Sequence, residues 1–330
     1  HSRSGQPGMQ EGGESMSGGN ERRMRVAAKS ELARGVVGLE LVPVEPTALP
    51  AWAPGSHIDL VRDDALVRQY SLCGRAEEQD RWCVAVLDVE NGRGGSAWVH
   101  RGLAQGDEVT VKGPRNNFEL ETAPELFFLA GGIGITPILP MVRQAEADGV
   151  PWRLAYGGRS RSSMAFLDEL EQYSGCVDVL PQDEAGLLDL EGLLGEEVPG
   201  RRVYCCGPEP LLDAVEKVMA DRGSEHLHVE RFAAKEPVDD SGEAFEIEVS
   251  SAGITLRVDE GQSIIDALDE AGIKVEFSCR EGTCGTCETG VLAGVPDHRD
   301  SVLDDDEKAA GDCMMICVGR CKEGPLVLDL

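Results

Sequence analysis

The stretch Cys279-Arg280-Glu281-Gly282-Thr283-Cys284-Gly285-Thr286-Cys287 decides how the rest of the chain is read. Its cysteines follow C-x4-C-x2-C, and Cys317 comes after a gap of 29 residues. Four thiolates at this spacing hold a [2Fe–2S] cluster. Soft thiolate ligands suit iron–sulfur chemistry, and a tight loop has to bring three of them to one place. Gly282 and Gly285 let the backbone curl without a Cβ clash, so neighbouring N–H groups can turn toward the sulfurs. A structural zinc site or a bare redox-active CxxC is the alternative. Zinc sites usually pair two short CxxC or CxxH units, and here there is one CxxC, with its extra cysteine five positions earlier. Cys313, Cys317 and Cys321 all lie near enough to supply the fourth ligand. The apolar neighbours Met315, Ile316 and Val318 suit a dry cluster wall and favour Cys317.

The chain has 330 residues, enough for two or three domains, and its 41% hydrophobic content is enough to build cores. It holds no run of about 18 apolar residues, so no membrane-spanning helix is expected. The polar, Gly-rich start shows no signal peptide. Eleven cysteines in so long a chain, with one clear metal-binding pattern, argue for a reducing, cytoplasmic compartment over a secreted disulfide framework. A net charge of −29 argues against nucleic acid as a partner. The acidity either keeps the protein soluble or steers a basic redox partner into contact. Asp304-Asp305-Asp306-Glu307 places part of it in the cluster-bearing region.

Residues 1–21 are rich in Gly and Ser and read as a disordered tail, partly an expression remnant. Residues 22–118 carry short apolar runs divided by Gly, Pro and Asp. Met24–Ala28, Val36–Val44, His57–Val61, Tyr70–Leu72, Trp82–Val89 and Glu108–Lys112 read as strands of a small antiparallel barrel. A helix is expected at Ser96–Arg101. Two signals here carry chemistry. In Arg68-Gln69-Tyr70-Ser71-Leu72, strand alternation puts Arg68 and Tyr70 on one face and Ser71 on the other. Arg68 can grip a phosphate and Tyr70 can pack on a flat ring. In Gly92-Arg93-Gly94-Gly95-Ser96, a Gly-rich turn opens a helix and favours an anion. Each has a plain reading as a surface Arg and an ordinary loop. Together they describe a flavin site.

Arg68-Gln69-Tyr70-Ser71-Leu72 resembles the RxYS flavin motif of the ferredoxin–NADP reductase superfamily. Gly94-Gly95-Ser96 resembles the phosphate loop of its phthalate dioxygenase reductase branch, and Asp297–Leu303 resembles a stretch between cluster ligands three and four there. The resemblance runs from about Arg22 to Leu330 and is greatest to reductase components of Rieske-type O-demethylases and related oxygenases. It implies a β-barrel binding FMN, a parallel-sheet α/β domain binding a nicotinamide nucleotide, and a C-terminal β-grasp [2Fe–2S] ferredoxin domain. It also implies a monomer.

Residues 119–232 agree with the second of these. Phe127–Ala130 run as an apolar strand into Gly131, Gly132 and Gly134, and a helix rises through Ile138, Met141 and Val142. This is a strand–Gly loop–helix phosphate site, although not the G-x-G-x-x-G fingerprint. The resemblance makes Gly131-Gly132-Ile133-Gly134-Ile135-Thr136-Pro137 the nicotinamide-nucleotide loop. Strands at Trp152–Tyr156, Val177–Leu180 and Arg202–Cys206 alternate with helices at Phe166–Gln172, Leu190–Leu194 and Pro210–Arg222. Such alternation means a parallel sheet with ligands at the strand carboxyl ends. Cys206-Gly207-Pro208 sits at one such end, and by resemblance Cys206 lies near the nicotinamide–flavin contact. Taken alone it is equally a small buried hydrophobe. Arg159 and Arg161 could bind a 2′-phosphate and favour NADPH, whereas Asp183 could bond a ribose hydroxyl and favour NADH. The resemblance favours NADH. It also makes Phe232 an aromatic shield over the flavin, against the simpler reading of a core Phe at a strand end.

Residues 233–243 read as a linker. In residues 244–330, Phe245–Val249 and Ile254–Val258 form a hairpin, Ser263–Glu270 a helix, and Leu326–Leu328 a closing strand. A nicotinamide gives two electrons as hydride and a cluster takes one at a time, so a flavin between them makes chemical sense. The expected path runs from NADH to FMN to the cluster to a terminal Rieske oxygenase. A cytochrome P450 or a corrinoid protein could take its place, or the chain could be a redox-sensing module. The histidines, His57, His100 and His226 among them, lack ligand spacing and read as ordinary polar or core residues.

Overall fold

The computed structural model describes residues 21–63, 66–90, 94–224, 226–232 and 241–330. The N-terminal tail up to residue 20, Gly92 and Arg93 of the Gly-rich turn, and residues 233–240 of the linker lie outside them. The strands are β1 (Glu21–Ala33), β2 (Val36–Pro43), β3 (Ser56–Asp63), β4 (Leu66–Ser71), β5 (Trp82–Leu87) and β6 (Glu108–Asn116), then β7 (Leu126–Gly131), β8 (Trp152–Gly158), β9 (Val177–Pro181), β10 (Arg202–Cys206) and β11 (Leu227–Glu230). The last set is β12 (Phe245–Val249), β13 (Ile254–Val258), β14 (Glu288–Asp297), β15 (Cys313–Met315) and β16 (Arg320–Leu328).

β1–β6 form an antiparallel sheet in the order β4-β3-β6-β1-β2-β5. A bridge between Leu72 and Val84 brings the end of β4 to β5 and curls the sheet toward closure. Alternation does the sorting: Met24 and Val26, Leu39 and Leu41, Ile58 and Leu60, Trp82, Val84 and Val86 all turn into one core. The expected helix at Ser96–Arg101 is one short α-helical turn, Gly95–Ala97, followed by a π turn, Trp98–Gly102.

The second sheet is parallel, in the order β11-β10-β7-β8-β9. Every residue of β7 is buried, as a strand covered on both faces requires. Phe128, Tyr156 and Cys206 enter the core on one face, and Phe127, Ala155 and Cys205 that on the other. The helix Ile135–Asp148 follows β7, and Glu209–Asp221 follows β10. The expected helix at Phe166–Gln172 is broken into Leu167–Leu170 and a 3-10 turn, Glu171–Tyr173.

The third sheet runs β13-β12-β16-β14-β15, with β12 parallel to β16 and antiparallel to β13. The helix Ile264–Glu270 packs Ile264, Ile265 and Leu268 into its core, and the Asp266 N–H donates to the capping Ser263 hydroxyl. This is the β-grasp order expected from the hairpin–helix–cysteine-loop sequence.

Candidate functional site

The cysteine loop brings its thiols together. Cys284, Cys287 and Cys317 are buried, and Cys279 is half-buried. Hydrogen bonds from the Cys284 and Cys317 thiols hold the Cys279 thiol far below its usual range, and the same contact pushes the Cys284 thiol up. Cys317 also touches Cys287, whose thiol is lowered by that contact. Backbone N–H groups of Glu281 and Thr283 donate to Cys279 Sγ at 3.3 and 3.5 Å, and that of Thr286 donates to Cys284 Sγ at 3.4 Å. Gly282 and Gly285 adopt φ of 66° and 70°, the left-handed turns that aim these donors inward. Of the three nearby candidates, Cys317 joins the group, whereas the Cys321 thiol donates to Gly324 O at 2.7 Å.

A cavity of about 380 Å³ lies where the three sheets meet. Arg68, Gln69, Tyr70 and Ser71 line one wall, with Gly95 and Ser96 beside them. Ile133 and Thr136 come from the Gly-rich loop, and Glu230 and Phe232 from the end of β11 and just beyond it. Thr283, Ser301 and Val302 bring in the cysteine-loop side. Asn117, at the end of the first sheet, lines the cavity and donates from Nδ2 to Cys284 O at 2.7 Å.

Not every residue marked by the motifs lies on this cavity. Ser71 shares the cavity with Arg68 and Tyr70, because β4 ends at Ser71 and the cavity wraps round the strand end. Leu72 is wholly buried in the barrel core. Gly94, Gly131, Gly132, Gly134 and Pro137 do not line the cavity. A Cβ on Gly134 would stand 2.1 Å from Cys206 O, and one on Gly131 would stand 2.6 Å from Pro208 Cδ. Gly131, Gly134 and Gly207 therefore let the β7 and β10 loops press together. Cys206 is fully buried behind the cavity, its thiol 4.0 Å from Glu230 Oε2. Burial pushes that thiol well above its ordinary value, so it is neutral. Arg159 and Asp183 lie away from the cavity, exposed at the ends of β8 and β9, with the Asp183 N–H donating to Arg159 O at 3.3 Å. Arg161 forms an ion pair with Glu184 at 3.0 Å. Phe232 is 46% exposed at the cavity rim and is not a core residue.

His57, Asn117 and Glu230 were not marked as site residues by the motifs. His57 is buried, lines the cavity and has no partner for Nε2 among the described residues. Burial lowers it to about 4, so the ring is neutral. Glu230 accepts from the Ser71 hydroxyl, yet its desolvation raises the carboxyl to about 8. Its alternation with Phe232 in His228-Val229-Glu230-Arg231-Phe232 is the signal that could have revealed it.

Comparison with known proteins agrees with this arrangement. Residues 128–217 match the family described as oxidoreductase NAD-binding domain, and residues 247–322 match the 2Fe-2S iron-sulfur cluster binding domain. Phthalate dioxygenase reductase of Burkholderia cepacia is 37% identical over 93% of this chain and 97% of its own length. A solved phthalate dioxygenase reductase, described as a modular structure for electron transfer from pyridine nucleotides to [2Fe-2S], superposes with a TM-score of 0.69 at 36% identity, covering 94% of this chain and 98% of that one. An intact type IV self-sufficient cytochrome P450 monooxygenase gives a TM-score of 0.87 at 42% identity over 94% of this chain, which spans 41% of that longer protein. No helix among the described residues is long and apolar enough to cross a membrane. With its NAD-binding and [2Fe–2S] domains in this order and its similarity running nearly end to end, the chain is an oxidoreductase that belongs to the phthalate dioxygenase reductase family.

Proposed function

We propose that this chain carries electrons from NADH through bound FMN to a [2Fe–2S] cluster and on to an oxygenase, in the first reading a Rieske-type ring-hydroxylating or O-demethylating enzyme. The observation that carries the reading is a cavity walled jointly by β4, the Gly-rich loop, the end of β11 and the cysteine loop. Residues 22–118 would hold the flavin, 119–232 the nucleotide and 244–330 the cluster, on Cys279, Cys284, Cys287 and Cys317.

The cavity fits a flavin. The buried Gln69 Nε2 and His57 Nε2 have no partner among the described residues, and a heteroaromatic ring edge offers acceptors and donors for both. A flavin supplies the ability to take two electrons as hydride and release them singly. Arg68, with Gly95 and Ser96, would hold the phosphate, and Tyr70 would pack on the ring. Phe232, exposed at the cavity rim, would cover the open side of the ring. Thr136 lines the space where the two rings would meet, and the neutral Cys206 thiol lies buried behind it. Glu184 occupies Arg161, which leaves less positive charge for a 2′-phosphate, and the exposed Asp183 suits a ribose hydroxyl; both favour NADH.

A second reading, in which the acceptor is a cytochrome P450, is favoured by the likeness to the self-sufficient monooxygenase. The test reconstitutes the protein, identifies the released flavin by chromatography, and compares NADH with NADPH. Rieske oxygenase components and a P450 are then supplied separately while NADH consumption and product are followed. Released FAD would overturn FMN, and failure of NADH to reduce the protein would overturn the reading. Slow turnover with redox-dependent partner binding would favour a sensor.

Glu230 gives a pH prediction. Its folded value of about 8 stands above its ordinary 4.5, so between these values the folded chain holds a proton that the unfolded chain has released. Stability then falls as pH rises through that window. In urea unfolding of the flavin-free protein, Glu230→Gln is expected to gain stability relative to wild type steadily from pH 5 to pH 8, with the difference levelling off above about 8. A constant difference across the range would refute this.

A further inference from the structure

The first and second sheets meet along a seam behind the cavity. Cys73 and Ala85 of the barrel pack there with Ala165, Ile133 and Phe166. Beside this patch lies Arg143, in the helix Ile135–Asp148, with its side chain 14% exposed. Its Nε and one terminal nitrogen donate to the two carboxylate oxygens of Glu169 at 2.7 and 2.8 Å. The other terminal nitrogen donates across the seam to Cys73 O at 2.8 Å and to Gly74 O. A planar guanidinium fixed on one edge by a carboxylate aims its other edge rigidly.

The two ends of this contact lead to opposite walls of the cavity. Cys73 follows Ser71-Leu72 directly, and Ser71 lines the flavin side. Arg143 lies about two helical turns after Thr136, which lines the nicotinamide side. We propose that Arg143 is a positioning residue for hydride transfer, fixing the nicotinamide-side helix in register with the strand end that carries Ser71. The proposal rests on the reading that a nicotinamide and a flavin meet in this cavity. Arg143 touches no reacting atom. Hydride transfer needs the two carbon and nitrogen centres aligned in near contact, so a small slip along the seam lowers the rate more than it weakens binding.

The test compares Arg143→Met, Arg143→Lys and Glu169→Gln in the reconstituted full chain, with ferricyanide as acceptor and NADH deuterated at the transferred position. Arg143→Met is expected to keep its flavin and cluster absorbance and a KM for NADH within about twofold, to lose about tenfold in kcat, and to show a larger isotope effect as hydride transfer becomes limiting. Arg143→Lys recovers part of the loss, because an ammonium reaches one carbonyl but cannot reproduce the fork. Glu169→Gln loses less than Arg143→Met, since the bonds to Cys73 O and Gly74 O remain. In the flavin-free protein, hydrogen exchange speeds up at residues 72–76 and 135–143 in Arg143→Met, while the barrel core around Met24 and Val26 is unchanged. Wild-type kcat, isotope effect and exchange in Arg143→Met would overturn the proposal. Equal damage in all three variants, with exchange raised throughout, would also overturn it by showing a merely structural role. If NADH failed to reduce the wild-type protein, the redox reading would fall, and the exchange data would still decide whether Arg143 holds the seam.

Discussion

Cys287→Ser is expected to lower NADH-driven reduction of cytochrome c at least about 100-fold, while reduction of ferricyanide, which can draw on the flavin directly, survives. Cys287 is 3% exposed and packs in the core of the third sheet, against Met315 and Ile316 and in contact with the Cys317 thiol. A serine hydroxyl is a hard, weakly acidic ligand in a pocket shaped for a soft thiolate, so the cluster loses a quarter of its protein ligands at a site water cannot replace. Cys317→Ser should behave alike. Cys313→Ser and Cys321→Ser should not, because Cys313 starts the short edge strand β15 and the Cys321 thiol is committed to Gly324 O. Iron and acid-labile sulfide, visible absorbance and the two acceptor assays read the outcome. Full cluster content in Cys317→Ser together with loss in Cys313→Ser would reassign the fourth ligand.

What the sequence disclosed depended on whether one short segment carried the whole signal. The cysteine spacing, the strand pattern around Met24 and Leu39, and the fully apolar β7 each follow from local periodicity. Leu190–Leu194 and Arg202–Cys206 were placed residue for residue on the same grounds. β14 was missed because Gly290 and Gly294 break its pattern, and Leu292 and Val295 lie exposed. Most of β16 was missed because Lys322-Glu323-Gly324 reads as a turn. The cavity could be read only in pieces. Arg68 and Tyr70 follow from alternation, but Ser71 joins them where the strand ends, and Asn117, Thr283, Ser301 and Val302 arrive from segments far apart in the chain. His57 was set aside for want of ligand spacing, although a buried histidine can serve a site without binding a metal. Gly131, Gly132 and Gly134 were read as phosphate contacts; a Cβ on Gly131 or Gly134 would meet the β10 loop, whereas one on Gly132 would meet nothing within 4 Å.

Gly95→Val is expected to weaken flavin binding by roughly ten- to hundredfold, corresponding to about 1–3 kcal/mol of overpacking, and to leave the cluster intact. Gly95 is buried where the short helix opens, and a Cβ there would stand 2.3 Å from Arg68 Cγ and 2.9 Å from Arg68 Nε. Valine can be accommodated only by driving the Arg68 side chain from its place or the helix from β4. Either movement removes the pairing of a guanidinium with backbone N–H groups that the phosphate site requires. Gly94→Ala separates this from a general fault in the turn. Gly94 has φ of 84°, which an alanine adopts with strain, yet nothing lies within 4 Å of its Cβ position. It should therefore cost stability with little change in flavin affinity. Flavin titration of the stripped protein, followed by fluorescence quenching, gives both dissociation constants, and the cluster absorbance reports whether the third sheet is undisturbed. Wild-type affinity in Gly95→Val would place the phosphate away from Arg68 and Ser96, and with it the orientation of the flavin in the cavity. Equal losses in Gly94→Ala and Gly95→Val would assign the effect to the backbone of the turn and leave the close approach to Arg68 without a role.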